Sequence, residues 1–510
     1  MSHLQNESEL ENRLSDSLVL ELQKMSSLKL KTQASDRQIK DDPYNYFEKE
    51  KIKLLLWNII ALAIPATLTS MLDLFIDITY LHYMGSFGNS LYVAAYGYSA
   101  FWINVTSISL LCGVTTAQST FSSQAYGKKD YRLVGEYHLR SRIIIFLFNI
   151  PLMFLSIFST EIFLAFNINE DLARTAGLLC SWTVPSTFIA TQLWITRGYL
   201  QAQGIYTPST VANAISTVTC PLYTWICSSL FGIVGIPLAK IVQNIINLAI
   251  LYYYIKWNDK LQPSWFWFTK DSFRGWLPLV ILSLSSLFMI CFEWWAWEIT
   301  NFECGYLGNV YVAINICILY CSAGFMYRIA SGLGPSTCTL VGNAIGEGEI
   351  GKAKVTAIIS SVLALLCLGI FLIILLLVRK PLGEFFSKDP EVEKGYLDLI
   401  IFVLFIEIID VMNGILNNLL VAFEKQQKAT YGNFIAYYIV MVPLSYLFAF
   451  KLEMGLWGIW IAISLGTSCQ CCSNIYFLFQ EPWKEIAKRA IEKLQKASDE
   501  LKEKGTSSPE

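Results

Sequence analysis

Ser119-Thr120-Phe121-Ser122-Ser123-Gln124-Ala125-Tyr126-Gly127 returns, altered, as Cys338-Thr339-Leu340-Val341-Gly342-Asn343-Ala344-Ile345-Gly346. Each copy follows an apolar stretch and precedes a charged loop. Further along, Gly232-Ile233-Val234-Gly235-Ile236 matches Gly455-Leu456-Trp457-Gly458-Ile459, Asn213 matches Asn433, and Pro221 matches Pro443. One such match could be chance. Several at an offset that stays near 220 residues argue for a duplicated chain.

Composition says what was duplicated. The 510 residues are 54% hydrophobic and 15% charged, with a mean hydropathy of +0.46; a soluble protein carries about 25% charge. A span needs about 20 mostly apolar residues. Twelve segments qualify: 55–83, 91–117, 141–160, 176–198, 209–230, 233–255, 276–301, 309–335, 355–378, 396–420, 430–450 and 455–480. The expected fold is an all-α membrane protein, twelve transmembrane helices in two pseudo-symmetric six-helix bundles. Six is even, so both halves enter the membrane in the same sense, related by an axis along its normal. Parallel repeats of this kind build carriers that rock around a site between or within the halves.

The boundaries follow: a polar tail at 1–52, a first half at 53–256, a linker at 257–275, a second half at 276–481 and a charged tail at 482–510. In the first tail, Ser8 to Leu30 is at most a marginal helix, with disorder favoured by its polarity. No signal-peptide pattern occurs there. Lys128, Lys129, Arg132, Lys256, Lys260, Lys270, Arg274, Lys352, Lys354, Lys425 and Lys428 fall in one set of loops, whereas the opposite loops at 84–90, 229–232 and 302–308 carry no Lys or Arg. The loop with Arg379, Lys380, Lys388 and Lys394 is an exception, partly balanced by Glu384, Asp389, Glu391 and Glu393. The richer side should be cytoplasmic, which puts both termini in the cytoplasm of a multi-pass protein. A plasma membrane and an acidic organelle membrane both fit. The linker reads as a polar loop with an interfacial aromatic anchor in Trp265-Phe266-Trp267-Phe268. The last tail is Lys-rich with Trp483, Ile486, Ile491 and Leu494; it suits either an anionic leaflet or plain solvent.

Several function classes drop out. A net charge of −2 does not suit nucleic acid. No His or Cys cluster has metal-ligand spacing, and no phosphate-binding Gly-x-x-x-x-Gly-Lys-Ser/Thr occurs, so no metal, cofactor or ATP-driven chemistry is expected and no enzyme activity. Cys112, Cys220 and Cys367 sit in apolar runs as packing residues; the adjacent Cys471-Cys472 leaves redox chemistry or acylation open. Polar residues inside spans carry the rest. Cys291-Phe292-Glu293-Trp294-Trp295-Ala296-Trp297-Glu298 ends a run, Trp276 to Phe292, that has no charge before Glu293. A carboxylate at membrane depth is a functional candidate, and indoles beside acids suit flat organic cations.

These motifs, in order, resemble the multidrug and toxic compound extrusion (MATE) family of transporters, from about Leu55 to Phe479. Gln124-Ala125-Tyr126-Gly127-Lys128-Lys129 looks like the family's Gln-Ala-Tyr-Gly-Ala-Lys loop. Leu200-Gln201-Ala202-Gln203, followed by Pro208, looks like its Leu-Gln-x-Gln motif. Gly342-Asn343-Ala344-Ile345-Gly346 resembles the animal form of its Asn-x-Leu-Gly-x-Gly motif, and Cys291 to Glu298 the eukaryotic Cys-x-Glu-Trp-Trp element. Gln124, Gly127, Gln201, Asn343 and Gly346 are thus the motif residues. The chain departs from the family at Ser122-Ser123, where Cys-Gly is common, at Leu340, where plant members have Arg, and at Asn417-Asn418 after Gly414-Ile415-Leu416. The place of the major-facilitator signature holds Gln124-Ala125-Tyr126-Gly127 instead.

The resemblance implies a secondary-active antiporter that exports organic cations or xenobiotics in exchange for protons, acting as a monomer in the bilayer. Burial disfavours the charged form of a carboxyl, so a buried acid can hold a proton and a cation in turn. Glu293 matches an acid that the family ties to coupling, and Glu298 a second acid of the animal branch. Glu293 and Trp297 are four residues apart, as are Trp294 and Glu298, so each pair shares a helix face. Arg328, also inside an apolar run, is the rival ion-pair partner for Glu293. Glu407 and Asp410, three apart, share a face of the tenth span. Asp73 and Asp77 share a face of the first, with Lys240 as the expected neutralising group for one of them. Trp294, Trp297, Asn413, Asn417 and Gln192 are the candidate cavity residues, with helix packing as the competing role. Two alternatives stay open: a flippase for lipid-linked sugars on the same fold, and sodium in place of protons as the driving ion.

Overall fold

A computed structural model describes residues 39–319, 324–386 and 389–505; the stretch from Ser8 to Leu30 lies outside them. Nine helical stretches among the described residues are long and apolar enough to cross a membrane. One of these, Thr207–Trp257, is two helices joined at a sharp turn. We number the long helices in chain order: α1 Lys49–Ser86, α2 Leu91–Gly127, α3 Tyr131–Ile157, α4 Glu170–Ala202, α5 Thr207–Phe231, α6 Gly235–Trp257, α7 Leu277–Leu307, α8 described as Asn309–Ile318 and Gly324–Glu347, α9 Ile350–Phe386, α10 Pro390–Ala422, α11 Gln426–Lys451, α12 Gly455–Gln480 and a final α13 Trp483–Gly505. Most run past the spans read from hydropathy. The backbone hydrogen bonds of a helix propagate into polar flanks that hydropathy does not count.

The turns repeat as the sequence does. Gly232 at φ +61° joins α5 to α6, and Gly455 at φ +56° joins α11 to α12. A side chain at either position would be held in a conformation that L-residues avoid. α2 contains a π-turn at Asn104–Ile108, and α11 contains π-stretches at Phe434–Met441 and Leu447–Lys451 on either side of Pro443. A proline inside a helix removes one amide donor, and local widening accommodates the loss.

α1 packs on α5, α4 on α2, α3 and α6, and α5 on α6; in the second half α7 packs on α11, α8 on α9 and α10, and α12 on α10 and α11. The two sets meet where α1 and α2 lie against α7 and α8. Near the ends of α2 and α8 that lie toward the termini the backbones almost touch. A Cβ on Gly127 would fall 2.0 Å from the Asn343 carbonyl oxygen, and one on Gly346 would fall 2.0 Å from that of Gln124. The opening repeat is therefore a two-fold-related helix crossing that only glycine permits. Around it, Thr120 Oγ1 donates to Val421 O at 3.0 Å and Thr339 Oγ1 to Gln201 O at 3.3 Å, while Gln124 Nε2 donates to Ala422 O at 3.0 Å. Gln124, Gly127, Gln201, Asn343 and Gly346 hold the halves together at this end.

Both chain ends cross this seam. Lys40 bonds its backbone to Gly348 and Ile350, its ammonium meets Glu349 at 2.9 Å, and Tyr46 OH donates to Glu349 at 2.7 Å. The segment just before α1 is thereby strapped to the second half. α13 crosses the other way. Lys128 Nζ donates to Gln495 at 2.8 Å, and Leu494 and Leu501 join the apolar core of the first half. Ile486, Ala487 and Ala490 pack into the second. The apolar face of the last tail is thus covered by protein, neither laid on a leaflet nor solvated. Each buried Leu or Ile adds about 1.5–3 kcal/mol, more than a solvated helix could recover.

The linker is likewise tied down. Trp265 packs against His138 and Tyr199 at ring distances of 5.4 and 5.6 Å, and Glu136 accepts from Thr269 at 2.8 Å and Ser272 at 2.9 Å. Of the aromatic run read as an interfacial anchor, Trp267 stays largely exposed, at 82%.

Candidate functional site: two polar networks and one cavity

Asp73 and Glu293 lie 220 residues apart in sequence, and the polar groups around them repeat. Thr210 Oγ1 donates to Pro65 O at 2.8 Å, and Thr430 Oγ1 to Ser285 O at 2.9 Å. Asn213 Nδ2 donates to Thr69 O at 3.1 Å, and Asn433 Nδ2 to Met289 O at 2.8 Å. Asn247 Nδ2 then donates to Asn213 Oδ1 at 3.1 Å, and Gln470 Nε2 to Asn433 Oδ1 at 3.0 Å. The first two bonds have their partners at an offset of 220 and the third at 223, so α1 and α5 carry the same scaffold as α7 and α11.

One position breaks the match. Arg197 on α4 has Asn417 on α10 as its counterpart at the same offset of 220. In the first half the Arg197 guanidinium lies 3.6 Å from Asp73 and donates to Asn213, whose amide donates to Asp73 at 2.8 Å. Asp73 is an ion-paired, hydrogen-bonded acid. In the second half Asn417 Nδ2 donates to Glu293 at 3.5 Å and Gln470 Nε2 at 3.2 Å. Glu293 has two amide donors and, among the described residues, no cation within 4 Å.

Glu293 opens onto a cavity of about 330 Å³ lined by Trp294, Trp297 and Glu298 on α7, Gly324 and Tyr327 on α8, Glu407 and Asp410 on α10, and Asn104 on α2. Four carboxylates face it. Glu407 Oε1 and Asp410 Oδ1 are buried and accept no hydrogen bond among the described residues. A buried carboxylate left so poorly served is costly in its charged form. Trp297 is braced edge-on against Trp460, with ring centres 6.2 Å apart, while Trp295, which also lines the cavity, is 37% exposed. A larger groove of about 730 Å³ between the ends of α5 and α6 is lined by Tyr253, Tyr254 and Trp257, with Asp259 as its sole acid.

The remaining candidates are placed elsewhere. Asn413 Nδ2 donates to Thr467 O at 2.9 Å, bonding α10 to α12. Gln192 accepts from Arg142 at 2.8 Å, between α4 and α3. Asn417 contributes its amide to Glu293 without lining the cavity. One expected pairing is corrected, that of Arg328, and one is placed, that of Lys240. Lys240, expected to neutralise one of the two acids of α1, has Asp77 within electrostatic reach, and its ammonium lies over the rings of Tyr80 and Tyr96, 5.4 and 5.0 Å from their centres. Arg328 does not meet Glu293; it turns to α1 and donates to Ser70 Oγ at 3.2 Å. A bulky guanidinium on α8 finds room at the seam with α1, where Ser70 and Ser331 are small. Arg197, Asn247 and Gln470 were not singled out by their own surroundings. The 220-residue offset, extended to every polar residue, would have found Arg197 opposite Asn417.

Among known proteins, the MatE family model matches residues 65–235 and 286–447. Protein DETOXIFICATION 16 of Arabidopsis thaliana is 26% identical over 455 residues, covering 88% of this chain and 92% of that one. Multidrug and toxin extrusion protein 1 of Mus musculus is 27% identical over 434 residues, covering 85% of this chain and 76% of its own. The crystal structure of the eukaryotic MATE transporter AtDTX14 superposes with a TM-score of 0.81 at 23% identity, covering 87% of this chain and 99% of that one.

Proposed function

The chain belongs to the MatE family, a multidrug and toxin extrusion transporter by kinship, and from that premise we propose that it is a secondary-active antiporter exchanging organic cations for protons. The observation that carries this reading is the cavity. Four carboxylates and three indoles line it, and among the described residues no cation lies within 4 Å of any of those acids. An aromatic cation would stack on Trp294 or Trp297 while Glu293 and Asp410 compensate its charge. A proton arriving at Glu293, Asp410 or Glu407 removes that compensation, and the cation leaves. Proton and substrate are thus reciprocally linked. The seam of α2 and α8 supplies the rocking contact, and the loops rich in Lys and Arg, with both termini, face the cytoplasm. The site works within one chain.

Proton rather than sodium coupling is supported by the way Asn417 and Gln470 turn their amide N–H groups, not their carbonyl oxygens, toward Glu293. A sodium ion would call for oxygens there. A lipid-linked sugar flippase would want cations against its pyrophosphate where this cavity sets four acids. The test is uptake of a fluorescent organic cation into vesicles under an imposed pH gradient. Wild-type protein should accumulate it, and the Glu293→Gln, Asp410→Asn double variant should not; full transport by the double variant overturns the proposal.

A further inference from the structure

The two arginines that face α1 are treated very differently. Arg197 is tied to Asp73 and Asn213. Among the described residues Arg328 makes one hydrogen bond, to Ser70 Oγ at 3.2 Å, and that hydroxyl is already shared with Ser331 Oγ at 3.0 Å. Among the same residues its buried Nε has no partner, and no carboxylate lies within 4 Å of its guanidinium. Asp73 and Asp77 are within electrostatic reach, but Asp73 is already engaged by Arg197. Counting Asp73, Asp77, Arg197, Lys240 and Arg328, the first-half side of the molecule holds two acids against three cations. The second-half cavity holds acids alone.

Position connects the two sides. Gly324, one turn before Arg328 on α8, lines the second-half cavity, as does the adjacent Tyr327. Arg328 itself does not line that cavity; it follows Tyr327 on α8 and turns its guanidinium to Ser70 of α1 beside it. A guanidinium at membrane depth is expensive without an anion, and its planar donor fork suits a carboxylate better than a serine hydroxyl.

We propose that Arg328 binds an anionic group of the transported molecule, so that the preferred substrate is an organic zwitterion. Its cationic aromatic part lies among Glu293, Trp297 and Asp410, and its carboxylate lies at Arg328. This rests on the transporter reading above and narrows its substrate class. It gives Arg328 a binding role for a substrate group, in addition to any help with helix packing.

Proteoliposomes holding the full chain are given N-benzylpyridinium, a cation, or N-(4-carboxybenzyl)pyridinium, its zwitterionic twin, under the same pH gradient. Wild-type protein should take up both. Arg328→Gln should weaken apparent affinity for the zwitterion by about tenfold or more, the worth of one charge-assisted contact, and leave the simple cation within about twofold. Arg328→Lys, which keeps the charge and loses the fork, should fall between and guards against a folding defect in the first variant. Equal loss for both probes, or loss for neither, overturns the inference. So does a wild-type protein that moves the cation and ignores the zwitterion, an outcome that leaves the antiporter reading standing. A wild-type protein that moves neither probe sinks both.

Discussion

The first-half network around Asp73 and the second-half network around Glu293 share a scaffold and differ most at one position, where Arg197 stands in the first and Asn417 in the second. Both acids sit on the first helix of their half; Asp73 accepts from Asn213 on the fifth, which Asn247 on the sixth bonds, whereas Glu293 accepts from Gln470 on the sixth, which also bonds Asn433 on the fifth. Asp73 has Arg197; Glu293 has Asn417 in that place and two further acids nearby. A guanidinium in contact gives a carboxylate a charge-assisted partner. Amides alone leave the charge to be neutralised from outside, by a proton or by a cationic substrate. Duplication thus supplied two related networks, and in the proposed mechanism the arginine makes the first structural while the second is the one available for exchange.

The comparison can be broken at several points. Glu293→Gln should have the largest effect, on the order of a hundredfold loss of pH-driven uptake, as for removal of an essential proton-handling group, with thermal stability little changed. Asn417→Arg copies the first-half solution into the second and should pin Glu293 as Arg197 pins Asp73; transport should fall by about tenfold or more, the worth of a charge-assisted contact, and normal transport by this variant would contradict the assignment. Asp73→Asn should act on stability instead. It leaves Arg197 without its acid at a cost of roughly 3 kcal/mol, the low end for a buried pair because Asp73 is 34% exposed. Adding Arg197→Gln should recover part of the lost melting temperature. A double variant no more stable than the single would deny the pair its structural role.

Gly346→Ala tests the seam. Its methyl would strike the Gln124 carbonyl, costing about 1–3 kcal/mol in a packed contact, and should raise cysteine labelling at the buried Cys338. The smallest effect concerns the strap. Burial draws Glu349 upward, but the Lys40 ammonium and the Tyr46 hydroxyl outweigh it and hold the carboxyl below its ordinary range. Its contribution to docking is therefore full above the ordinary carboxylate range and is lost as pH falls through the depressed value. Proteolysis ahead of α1 should quicken in acid, and Glu349→Gln should show the quick rate at neutral pH.

The fold was legible because the duplicated motifs are the seam itself. Gly127 and Gly346 must be glycine for the helices to cross, and Gly232 and Gly455 for the chain to turn, so the pattern that revealed the repeat is the pattern that shapes it. Glu293, Glu407 and Asp410 were legible because charge is rare in apolar helices. Asn413 and Gln192 were not, since a polar side chain on a span looks the same in sequence whether it lines a cavity or bonds a neighbouring helix. The partner of Arg328 was lost for a related reason: residue type announces a charge, while its partner depends on rotation between helices far apart in the chain. The fate of the last tail turned on a docking surface assembled from both halves, which no local stretch encodes.

The claim that exchange belongs to the second half alone is tested most directly by placing Glu293→Gln and Asp73→Asn side by side in vesicles with an imposed pH gradient and no sodium. At equal amounts of folded protein, Asp73→Asn should retain proton-driven uptake of an organic cation, and Glu293→Gln should lose it. The reverse pattern, or equal loss in both, would contradict the account.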